Sequence, residues 1–178
     1  VVSSSRFIPT SLKGRGKLRV IFGLTIEKNV VQGTGHCTCM LEGISPTAIW
    51  YMMKHHCQLH QQDRTVGRAL ERLMVQFVIS PSKEEAANLT MNDWANLQDE
   101  SLETMDSLGL IPKGMEKEVK TNFCNSMNVG GLHSDSKSGT LHLHMDCCRV
   151  DLEGNTNDVH DIHKRAMMAA EIINMRHG

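Results

Sequence analysis

Three groups of side chains have the types and spacing that chemistry would need. His142 and His144 alternate just before the adjacent thiols Cys147 and Cys148, and His133 lies nine residues upstream. Imidazole and thiolate are the ordinary ligands of zinc, but this spacing matches no CxxC or HxxxH pattern. His56 and His60 lie one helical turn apart, close enough to share an ion, although two ligands are not a site and Cys57 between them falls on the packing face. The third group, His36 with Cys37 and Cys39, is weaker still. No thiol comes with an evident base and orienting partner, so no catalytic residue is assigned. The Gly-x-Gly segments lack both a Walker lysine and a GxGxxG fingerprint. The sequence therefore predicts no enzyme, no cofactor and no metal centre.

The permanent charges are the stronger pattern. Residues 1–80 hold ten Lys or Arg against four acids, and residues 81–178 hold nine against sixteen, so a net charge of −1 conceals halves of +6 and −7. Arg6, Lys13, Arg15, Lys17 and Arg19 precede the first acid, Glu27. Arg64, Arg68 and Arg72 repeat at four-residue spacing, which on a helix makes one basic stripe. These eight residues are the candidate anion-binding surface, for lipid headgroups or for nucleic-acid phosphate.

The elements that must carry these residues read as helices. Twelve Met against four Phe, two Trp and one Tyr suits helices better than sheets, which favour aromatic and branched residues. Pro46 after Ser45 marks a helix start, and the spacing predicts a helix over 46–61 burying Ile49, Met53 and Cys57. Another is predicted over 63–79, with Val66, Ala69, Leu70, Leu73 and Phe77 inward. A third covers 92–108 and ends at Gly109 and Pro112. Residues 115–127 read as helix, 129–139 as a Gly/Ser-rich loop, and 156–177 as a final helix burying Val159, Ile162, Ala166, Ala169 and Ile173. Two stretches stay open: 20–26, where helix is preferred to strand, and 141–152, where alternating Leu141, Leu143 and Met145 allow a strand. The expected fold is all-α, an elongated multi-helix structure of two helical domains, 1–110 basic and 111–178 acidic.

Part of the basic half resembles a known family. Pro9-Thr10-Ser11-Leu12-Lys13-Gly14, then Gly16, then Phe22-Gly23-Leu24-Thr25-Ile26, are similar to a segment of the orthomyxovirus (influenza-type) matrix proteins, and Met40-Leu41-Glu42-Gly43-Ile44-Ser45-Pro46 resembles the loop before that family's next helix. The similarity covers about residues 9–75, at low identity. It implies an all-helical structural protein that polymerises beneath a viral envelope, with itself, anionic membrane lipids, viral ribonucleoprotein and RNA as partners, and envelope-protein tails and nuclear export factors as further ones. It implies a place in the virion under the envelope, and in infected cells the cytoplasm, nucleus and inner plasma-membrane face. An alternative is a viral RNA-binding or host-antagonist protein using the same basic surface; a third is a small metal-assisted enzyme. Within the resemblance, His55, His56 and His60, with His160 and His163, are expected to gain charge between about pH 7 and 5 and to loosen subunit contacts.

Overall fold

The computed structural model describes residues 22–25, 38–39, 46–62, 70, 72–134 and 139–177. Their centre is a five-stranded antiparallel sheet, which overturns the all-α expectation. The strands are β1 (Phe22–Thr25), β2 (Thr38–Cys39), β3 (Met74–Ile79), β4 (Ser126–His133) and β5 (His142–Asp151), ordered β1-β3-β5-β4-β2. The helices are α1 (Pro46–Gln62), the single turn α2 (Lys83–Ala86), α3 (Met91–Ser107) and α4 (Ile162–His177).

Alternation explains why the predicted helix over 63–79 gives way to a strand at its end. Val75, Phe77 and Ile79 are buried while Met74, Gln76 and Val78 are only half-buried, a period of two that the arginine spacing upstream conceals. In β5 the open choice at 141–152 falls to strand, with Leu143, Met145 and Cys147 facing the main core. Strand also wins at residues 22–25. The helix expected over 115–127 is absent: Leu110 bridges Val119, a 3-10 turn spans Phe123–Asn125, and β4 begins at Ser126. Nor is 129–133 a loop. Gly130 and Gly131 are strand residues, and Gly130 is needed because a Cβ there would sit 2.0 Å from Gln98 Oε1 of α3.

The helices at 46–61 and 92–108 form nearly as expected, α3 being opened by a capping box between Thr90 and Asp93. The last helix starts later, at Ile162, with Asp161 before it in the left-handed region at φ 51°. Ala166, Ala169 and Ile173 are buried as predicted.

Two cores lie on opposite faces of the sheet. On one, α3 and α4 close over Val75, Phe77, Ile79, Leu143, Met145 and Cys147, with Trp94, Leu97, Phe123 and Ile173 fully buried among them. This cluster draws on both sides of residue 110. Arg165 of α4 fastens it: its guanidinium donates to the Met105 carbonyl at 2.7 Å, to Val119 at 2.5 Å and to Leu108. Two of these carbonyls stand at the end of α3, where Met105 also accepts the Leu108 amide at 3.3 Å. On the opposite face, α1 lays Ile49, Met53 and Cys57 over Cys148 and Val150.

Candidate metal centre

Among the described residues, α1 covers the second face of β5 towards its far end. Strand alternation places His142, His144, Asp146, Cys148 and Val150 on that face, and α1 packs on the last two. The first two stand with His133, because the β4–β5 register sets His133 directly opposite His142 and Gly131 opposite His144. Gly131 presents no side chain, so the His133 ring can lean diagonally towards His144. The ring centroids are 4.6 Å apart for His133–His144, 4.9 Å for His142–His144 and 6.0 Å for His133–His142. All three side chains are half-buried.

These separations carry a chemical meaning. An ion bound at about 2.0–2.1 Å by imidazole nitrogen lies roughly 3.2 Å from each ring centre, so three tetrahedral ligands hold their centroids about 5 Å apart. The observed triangle brackets that value. Convergence on one ion would require the three rings to turn from the orientations they hold. In the positions the rings occupy, no group of three or more His, Cys, Asp or Glu among the described residues could hold a metal ion. His142 already has the arrangement of a ligand, since its Nδ1 lies 3.0 Å from the Thr140 carbonyl. A carbonyl only accepts, so Nδ1 carries the proton and Nε2 the lone pair.

The cysteines of the sequence pattern do not join. Cys147 points into the main core, where burial first and then Asp146 raise its thiol well above the ordinary range. Cys148 is buried under α1 with its Sγ 3.7 Å from the Met53 carbonyl, and its contact with Cys57, then burial, raise it too. Thiols held protonated are poor metal ligands. Cys39 lies on β2, while His36 and Cys37 lie outside the described residues.

The other predicted residues are scattered. Arg6, Lys13, Arg15, Lys17, Arg19, Arg64 and Arg68 lie outside the described residues. Arg72 is exposed on the non-helical approach to β3, and its carbonyl accepts from Arg149 at 3.4 Å. His55 is exposed. His56 and His60 make contacts within the chain: His56 Nε2 lies 3.1 Å from the Asp151 carbonyl, its ring meets that of His60 at 4.8 Å, and His60 lies against Gly154. His160 and His163 are exposed beside the start of α4. Among the described residues no helix is long and apolar enough to cross a membrane.

His133 is the residue whose part the sequence pattern leaves unassigned. Its signal is present: a strand reading of 141–152 makes His142 and His144 share a face, and the Gly/Ser-rich stretch before them is then the turn of a hairpin whose other arm ends at His133. No protein-family model, curated protein or solved structure matches this chain.

Proposed function

We propose that the protein works through a divalent metal held by His133, His142 and His144, and that it acts on a phosphate ester, with a nucleic-acid strand as the substrate class. The observation that carries this is the triangle of half-buried imidazoles on one face of the sheet. Three neutral ligands leave an ion its full double charge and at least one open position. Such an ion polarises a phosphoryl oxygen or activates a bound water. An anionic substrate also accounts for the +6 balance of residues 1–80. The membrane-layer reading has less support: its polymerisation and its envelope come from a resemblance that implies an all-helical protein, and this chain is built around a sheet.

The test is a metal titration joined to an oligonucleotide assay. Wild-type protein with Mn²⁺, Mg²⁺ or Zn²⁺ is expected to hydrolyse a labelled oligonucleotide, and chelator or His144→Ala to abolish this. Binding to anionic vesicles with no metal-dependent action on any oligonucleotide would favour the membrane reading instead.

A further inference from the structure

Two thiols meet beneath α1. Cys57 of α1 and Cys148 of β5 are both fully buried and share the smaller core with Ile49, Met53 and Val150. Their sulfurs are in hydrogen-bonding contact; Cys57 Sγ also lies 3.4 Å from the Leu73 carbonyl, and Cys148 Sγ 3.7 Å from that of Met53. Met53 is one helical turn before Cys57, and helical side chains lean towards the N-terminus, so a sulfur at the Met53 carbonyl stands where the Cys57 side chain points. Adjacent Cys147 does not join them, because alternation turns it into the core on the other face. The donor from Cys148 lowers the Cys57 pKa against the opposing effect of burial, which makes Cys57 the readier thiolate of the two. Undocking α1 breaks only this smaller cluster among the described residues, and such local opening costs less than unfolding the main core.

We propose that Cys57 and Cys148 are a redox-sensitive pair, which hydrogen peroxide converts into a disulfide joining α1 to β5. The Cys57 thiolate attacks one peroxide oxygen and the O–O bond breaks; the departing hydroxide takes up the proton that Cys57 had lost, leaving a sulfenic acid and one water. Cys148 then attacks the Cys57 sulfur, the S–O bond breaks, and the hydroxide leaves with the Cys148 proton as a second water. The new S–S bond closes at about 2.05 Å. Two thiols are oxidised and one peroxide is reduced. The bond holds α1 on the sheet and closes a long loop, so it also restricts the unfolded chain. No metal ligand takes part, and the inference stands apart from the three-histidine reading.

The experiment uses the full chain, reduced and then exposed to hydrogen peroxide without denaturant, alkylated, and peptide-mapped by mass spectrometry. The expected product is a linked pair of peptides carrying Cys57 and Cys148, lighter than the two free peptides by two hydrogens and separated again by dithiothreitol. The oxidised protein should have a higher urea midpoint than the reduced one. Cys148→Ser should give no link and leave at Cys57 a sulfenic acid that dimedone traps. Cys57 and Cys148 staying reduced while the exposed Cys124 is oxidised would overturn the pairing, as would a link from either to a different cysteine. A linked protein with an unchanged or lower urea midpoint would overturn the fastening of α1. Because the link is read in the wild type, failure of the serine variant to fold leaves the test intact.

Discussion

The two faces of the sheet are built on opposite terms. The face under α3 and α4 is closed mainly with apolar side chains, and the fully buried guanidinium of Arg165 donates to backbone carbonyls. Among the described residues the other is covered by α1 around Cys148 and Val150, with Met74, Met127 and Val129 at the edge, and the same central strand continues into the half-buried His144 and His142. One strand therefore serves stability with Leu143, Met145 and Cys147 on one face and Cys148 and Val150 on the other and, on our proposal, chemistry with His142 and His144. Alternation makes the two separable: a change on one face should leave the other's property largely intact.

The sharpest way to break that comparison is on the closed face. Phe77, fully buried and edge-on to Phe123 at 5.4 Å, should cost about 3–5 kcal/mol as Phe77→Ala, read as a fall in the urea midpoint. Next is Arg165→Ala, which takes the guanidinium from the Met105, Leu108 and Val119 carbonyls, Met105 keeping the Leu108 amide. A loss of about 3 kcal/mol is expected in the same measurement. Burial lowers the Arg165 pKa, opposed by Asp106, Glu118 and Asp158, yet arginine stays charged, so this contribution should not vary between pH 5 and 8.

A smaller effect, with a pH signature, belongs to Asp151 at the end of β5. Burial alone would raise its carboxyl, but hydrogen bonds from Asn122, Asn155 and the Glu153 amide outweigh it and hold it below the ordinary carboxylate range. A depressed folded pKa stabilises above the unfolded value of about 3.9 and loses that contribution as pH falls through the folded one. Urea midpoints measured from pH 6 to 2 should show wild type losing its advantage over Asp151→Asn in that acid range; parallel curves would contradict the assignment.

The smallest stability effect is expected on the histidine-bearing face. His142→Ala removes a half-buried ring that belongs to neither core and should shift metal-free stability by no more than about 0.5 kcal/mol. A loss comparable to Phe77→Ala would mean that the histidines are a structural cluster.

How much of this was legible depended on which period dominated each segment. Helices α1 and α3 carry their apolar residues at helical spacing between clear stops, so Ile49, Met53, Trp94 and Leu97 could be placed inside from sequence. Strand β3 was obscured because Arg64, Arg68 and Arg72 impose a four-residue rhythm that runs up to the strand, and six residues of alternation are a short counter-signal. Glycines hid β4, since Gly130 and Gly131 read as loop although one makes room for Gln98 and the other faces His144. The site was half visible. His142 and His144 were selected by type and Cys147 and Cys148 by proximity, but facing depends on parity, and His133 enters only through a cross-strand register that no local pattern specifies.

The most direct measurement is calorimetric titration of metal-free wild-type protein with Zn²⁺ beside His133→Ala, His142→Ala and His144→Ala. A histidine-held metal predicts one ion per chain for wild type and a loss of at least about 100-fold in affinity for each variant, with stability nearly unchanged. Equal binding by all four proteins, or none by the wild type, would contradict it.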